Sequence, residues 1–232
     1  MKNMTTNTND IIMILDESGS MELMGNEPIQ AVNNFIKEQQ KLKIKDTQFS
    51  LWKFNSEITC VYNNENLEDI KDFKDFNPDN LTALLDCIGT AITEKLESNR
   101  KENVICVILT DGEENSSKCF ELSEIKSLIK KVEKNYGWSF VYLGANQDVF
   151  KASKSIGISN CSEFLPNKNG DLINITRATS EKISLYRQQS QKCGTNDIKI
   201  ETLFKKPLSL PLPSPLSPIS MLTRNVAITI DN

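Results

Sequence analysis

Ile11-Ile12-Met13-Ile14-Leu15 runs without a break into Asp16-Glu17-Ser18-Gly19-Ser20. A short, continuously apolar run ended by turn residues reads as a strand buried on both faces. The five residues after it put a carboxylate and two hydroxyls on a tight turn at its carboxyl end. The pattern returns at Val104-Ile105-Cys106-Val107-Ile108-Leu109-Thr110, followed by Asp111-Gly112. If both runs are parallel strands of one sheet, Asp16 and Asp111 emerge at the same edge. Two carboxylates brought together there repel unless a cation lies near them. Oxygen-only donors suit a hard divalent cation, Mg²⁺ or Mn²⁺, far better than zinc or copper.

Working outward, strands are expected at 10–16, 104–110 and 139–143, with a hairpin of 47–54 and 57–62 turning at Asn55-Ser56 near one sheet edge. Helical stripes lie between them. Ile29, Val32, Phe35 and Ile36 mark one face of 28–43, with Pro28 suited to a first turn. Leu81, Leu84, Leu85, Ile88, Ile92 and Leu96 mark 81–97, Leu122 to Val132 mark 121–134, and a last helix is expected over 170–190. Strands alternating with helices at this spacing predict a doubly wound α/β fold, a Rossmann-like, mostly parallel central sheet with helices on both faces. The domain is expected over 1–193. Five of the eight prolines then fall between Pro207 and Pro218. A tail over 194–232 is therefore expected to be extended or disordered, except where Val226–Ile230 finds a sheet edge.

Composition removes several chemistries. The chain has 232 residues and no histidine, which excludes Ser-His-Asp and Cys-His nucleophiles and every His-containing zinc site. A net charge of −4 argues against nucleic-acid binding and against attraction to an anionic membrane. Lys41, Lys43 and Lys45 read as a solvated face. The six cysteines are scattered without a Cys-x-x-Cys pair, as expected of reduced thiols in a cytoplasmic protein. Neither a signal peptide nor a membrane span is expected. Trp52 and Trp138, on expected strands, read as core.

Ligands of open α/β sheets bind outside the carboxyl ends of the strands, where strand order reverses. Asp16 and Asp111 sit at such ends, and Asp79-Asn80-Leu81-Thr82 leads into the helix expected at 81, with Thr82 in its first turn. At these residues the chain resembles the von Willebrand factor type A domain, whose metal-ion-dependent adhesion site consists of Asp-x-Ser-x-Ser, a distant Thr and a distant Asp. The resemblance covers roughly residues 8–190 and is nearest to stand-alone microbial members. It rests also on Thr110-Asp111-Gly112-Glu113-Glu114-Asn115 and on Tyr136 to Asp148. It implies that Ser18, Ser20 and Thr82 bind the metal directly, while Asp16 and Asp111 act through water or hydrogen bonds. It departs from the family at Asn80-Leu81, where glycine often precedes the threonine, and leucine there narrows the backbone freedom of the loop.

The function implied is a non-enzymatic interaction module. A partner protein donates an Asp or Glu to the open position of an octahedral Mg²⁺, in a scaffold or assembly role that sometimes involves a separate ATPase chain. Glu17, Glu22, Glu113 and Glu114 are expected to form an acidic rim that disfavours acidic partners lacking a flanking Lys or Arg. Two rival readings stay open. One is a metal-dependent phosphohydrolase with Asp16 as nucleophile, which lacks a second acid at Ser18. The other is a metal-free scaffold.

Overall fold

A computed structural model describes residues 9–145, 149–193 and 200–204. The Pro-rich tail, its candidate strand at Val226–Ile230 and the polar N-terminus lie outside the described residues. Six strands form one sheet in the order β3-β2-β1-β4-β5-β6. They are β1 (Ile11–Asp16), β2 (Gln48–Phe54), β3 (Ile58–Asn66), β4 (Ile105–Thr110), β5 (Ser139–Ala145) and β6 (Cys161–Phe164). All pairings are parallel except β2 with β3, the expected hairpin, which is antiparallel at one edge.

Alternation along β1 explains the layering. Ile11, Met13 and Leu15 pack with α1 (Glu27–Gln40) and the long α5 (Asp171–Cys193). Ile12 and Ile14 pack with α2 (Leu84–Glu97) and α3 (Leu122–Tyr136) on the opposite face. Each of these five side chains is at most 1% exposed, a burial that stabilises the fold by about 1.5–3 kcal/mol per side chain. Trp52 and Trp138 are buried, and Lys41, Lys43 and Lys45 are exposed.

Strands and long helices follow the sequence reading with ends shifted by a few residues. Three elements exceed it: α4 (Val149–Ser155), the edge strand β6 and a short helix after α5. Beyond α5, a short α6 (Glu201–Phe204) follows a buried Ile200, and Leu203 and Phe204 pack on the core. The packed unit thus continues past residue 193. The stripe expected to begin at Leu81 begins instead at Leu84; Leu81 lies outside α2 and is 54% exposed.

At the amino end of the sheet, Asp10 ties distant segments together. It accepts from Lys95 Nζ at 3.0 Å, Arg100 Nη2 at 2.7 Å and the Gln48 backbone at 3.0 Å. Lys95 is 2% exposed, and burial, opposed by Asp10, pulls its pKa below the usual lysine value. Removing one partner of a buried pair leaves a charge uncompensated, at a cost of about 3 kcal/mol. Asp10→Asn is therefore expected to lower the urea-unfolding free energy by about that amount. Asp72→Asn, which breaks the exposed pair with Lys37, should cost less than about 1 kcal/mol. Equal losses would contradict the role given to Asp10.

Candidate metal centre

Strand order turns back between β1 and β4, and the residues that end these two strands open the site. Asp16 closes β1 and is fully buried; Asp111 follows β4 and is half-buried. The Asp16 carboxylate accepts the Ser18 backbone N–H at 2.7 Å on Oδ1 and the Thr110 hydroxyl on Oδ2. These bonds fold the turn so that the Ser18 and Ser20 hydroxyls lie 3.2 Å apart, and Ser20 donates to Asp111 Oδ1 at 2.6 Å. Ser18 is buried and Ser20 exposed. The set thus has a closed floor and an open mouth.

Thr82 joins from the segment ahead of α2. A Cβ added at Gly112 would lie 3.0 Å from Thr82 Oγ1 and 3.5 Å from both Asp16 Oδ2 and Ser18 Oγ. Thr82, Asp16 and Ser18 therefore face one small space that the missing side chain of Gly112 keeps open. All five residues singled out from the sequence meet here. Thr82 does not lie in the first turn of α2, as expected, but two residues before the helix, in a loop pinned on three sides. Gly19 N–H donates to the Asn80 carbonyl, Ala83 N–H to the Asn55 carbonyl, and Thr82 N–H to the Asn115 side chain at 2.9 Å. The concern over Leu81 resolves at its neighbour. Asn80 takes the left-handed conformation, with φ of 64°, which asparagine tolerates better than most side chains.

The acidic rim is smaller than expected. Glu17 is buried, paired with Lys53 at 3.0 Å and accepting the Asn77 N–H at 2.6 Å. Glu114 caps α2 through the Leu85 N–H at 2.8 Å and holds the Ser116 and Ser117 N–H groups. Both are internal ties, not rim charges, which leaves Glu22 and Glu113 exposed. Three residues went unassigned in the sequence reading. Thr110 orients Asp16, Gly112 supplies the space, and Asp86 accepts the N–H groups of Lys118, Cys119 and Phe120 at 2.7–2.9 Å. Thr110 and Gly112 directly flank Asp111 and so were within reach of a local reading. Asp86 sits in the first turn of α2, and the loop it holds lies more than thirty residues further along the chain, so no local signal marks its role.

Electrostatics favour a cation. Burial raises the Asp16 pKa against its hydrogen bonds, and burial, with the Asp16 charge adding to it, raises Asp111 to about 6. The groups that stabilise these carboxylates are hydroxyls and backbone N–H groups, not cationic side chains. Two carboxylates, three hydroxyls and an open space match the donor set of a hard divalent ion. Among the described residues, no three Cys, Asp or Glu converge as a metal cluster, at this site or elsewhere; the donors here are two carboxylates and three hydroxyls.

The family description of the von Willebrand factor type A domain matches residues 10–174. No protein with a curated description matches by sequence. Similar solved structures include the von Willebrand factor type A protein from Catenulispora acidiphila, at 13% identity and a TM-score of 0.53, covering 75% of this chain and 42% of that one. The pilus adhesin SpaC from Lactobacillus rhamnosus GG, in its open conformation, aligns at 13% identity and a TM-score of 0.61, over 78% of this chain and 30% of that one. The vWF domain of the type V pili tip protein Mfa5 from Porphyromonas gingivalis aligns at 10% identity and 0.57, over 79% and 97%. At these identities the likeness is one of fold. This chain spans less than half the length of the first two.

The raised carboxyls carry a pH signature in metal-free buffer. A folded pKa above the ordinary 3.8 gives stability that is fully present below that value and is lost as pH rises through about 6. Asp111→Asn removes the titration and keeps an acceptor for Ser20. In EDTA, the variant should match the wild-type melting temperature near about pH 4 and exceed it near about pH 7.5. An offset that does not change with pH would contradict this account.

Proposed function

The chain belongs to the von Willebrand factor type A family, and on that premise we propose that it is a non-enzymatic, Mg²⁺-dependent protein-interaction module. The bound partner supplies an Asp or Glu carboxylate to the cation. The observation that carries this reading is the convergence of Asp16, Ser18, Ser20, Thr82 and Asp111 around the space beside Gly112. Mg²⁺, or Mn²⁺ in its place, would be held by the Ser18, Ser20 and Thr82 hydroxyls, with Asp16 and Asp111 as orienting counter-charges. Neutral donors leave such a cation electrophilic toward an incoming carboxylate.

The surroundings suit a protein ligand. Of the six exposed large apolar side chains among the described residues, five (Leu23, Leu81, Leu122, Phe150 and Leu165) lie in segments at the carboxyl edge of the sheet. An apolar surround about a polar centre is the composition of a protein-binding surface. Glu22 and Glu113 bias it toward carboxylates flanked by Lys or Arg.

The phosphohydrolase reading needs Asp16 as an exposed nucleophile. Here its two oxygens accept from Ser18 and Thr110, and the residue is fully buried. The metal-free scaffold differs by its indifference to chelation. The 232 residues carry no Gly-x-x-x-x-Gly-Lys loop, so this domain itself supplies no ATP-binding loop of that type. A cytoplasmic setting fits the free Cys60, Cys87, Cys106, Cys119 and Cys161. No helix among the described residues is long and apolar enough to cross a membrane.

A pull-down from an extract of the source cells, in Mg²⁺ and in EDTA, tests the proposal. A partner is expected that is retained in Mg²⁺ and lost both in EDTA and with Ser18→Ala/Ser20→Ala. Partners indifferent to chelation and to the double variant would favour the metal-free scaffold.

A further inference from the structure

Beside the candidate metal centre, on the α2 and α3 face of the sheet, lies a cleft of about 430 Å³. Leu84, Leu85, Tyr142, Val149, Ala152 and Ile156 wall it. Its floor is close-fitting: a Cβ at Gly144 would meet the Tyr142 ring at 2.8 Å and Val149 at 2.9 Å, so the glycine is what lets these two walls approach. Leu122, also in the lining, is 44% exposed. Glu113, Glu114 and Lys151 also line the cleft, but apolar walls make up most of its surface, and covering them with an apolar group is favourable.

The cleft is continuous with the metal centre. Thr110, Asp111 and Gly112 line it, and the same three residues orient Asp16, accept from Ser20 and leave the space before Thr82. One ligand can therefore reach both places. In an extended chain, consecutive residues advance about 3.3–3.6 Å. A side chain one to three residues from a metal-bound carboxylate thus falls within range of the cleft. The volume exceeds what one methyl-sized group fills and suits a large apolar side chain, and aromatic anchors in pockets carry much of the binding energy of protein interfaces.

We infer that this cleft is the specificity pocket of the interaction site, taking an aromatic side chain that lies within three residues of the partner's metal-bound Asp or Glu. The inference rests on the metal-dependent interaction proposed above. It narrows the partner from any exposed carboxylate to an acidic-aromatic segment in extended conformation.

Short Gly/Ser peptides containing one Asp, with Phe one, two or three residues to either side, supply the probe. Binding is read by methyl NMR of the full chain, with peptide up to millimolar concentration, in Mg²⁺ and in EDTA. Controls replace Phe by Ala, or Asp by Asn. At least one spacing should bind about tenfold more tightly than its Ala control, shifting the methyls of Val149, Ala152 and Ile156. Ala152→Trp, on an exposed position of α4, should abolish that gain by filling the cleft while leaving the Mg²⁺-induced shifts unchanged. Asp-Ala peptides that bind as tightly as every Asp-Phe peptide overturn the inference and leave the interaction module standing. So does a Phe gain that survives Ala152→Trp, or the absence of any shift at the cleft methyls. Phe-dependent binding that ignores both EDTA and the Asn control overturns the metal-site reading instead.

Discussion

Two carboxylates drawn out of water at the ends of neighbouring parallel strands impose the constraint on which this structure depends. Asp16 and Asp111 emerge where strand order turns back between β1 and β4. Burial raises the pKa of both, the Asp16 charge raises Asp111 further, and the groups that oppose this are hydroxyls and backbone N–H groups. A protein core normally avoids such a pair or supplies a lysine or arginine to it. Lys53, on the strand beside β1, is committed to Glu17 and Asp75. The site is thus left with negative charge to spare and hydroxyls facing the same space, which is the electrostatic condition for holding a divalent ion.

The rest of the carboxyl edge serves to hold those groups still. The Asp79–Ala83 segment is pinned to the turn after β1, to the β2–β3 hairpin and to the loop after β4 by backbone bonds. The loop after β4 is in turn fastened to α2 by two carboxylates, Asp86 from the helix and Glu114 from the loop. Fixed loops matter because a metal site or a carboxylate receptor works through donors that are already in place when the ligand arrives. The opposite edge has its own fastening at Asp10, so both ends of the central strand are tied by charge while its middle is wholly apolar.

Much of this was legible in the sequence because its strongest signals are local. Ile11–Leu15 and Val104–Thr110 read as doubly buried strands since no polar residue interrupts them, and the Asp-x-Ser-x-Ser turn brings its own donors. What was not legible depends on partners far along the chain. Glu17 looks like a rim acid until β2 pairs with β1 and brings Lys53 alongside it, 36 residues later. Glu114 looks solvated until the α2 N-terminus arrives to use it as a cap. Thr82 faces the space beside Gly112, but from the loop ahead of α2 rather than from its first turn, because the leucine stripe extends past the helix start and the left-handed turn at Asn80 has no periodic signature. β6 has four residues and, among the described residues, pairs with β5 alone, so it lacks the apolar run that marks the inner strands. α4, at seven residues, is too short to show a stripe.

The buried carboxylate pair and its hydroxyls have the makings of a cation site. Isothermal titration of the metal-stripped protein with Mg²⁺, compared with the same titration of Thr82→Ala and of Ser20→Ala, tests it most directly. One saturable site is expected in the wild type, weakened at least about tenfold in each variant. No saturable heat in the wild type under conditions where the protein is folded, or equal affinity in all three proteins, would contradict it.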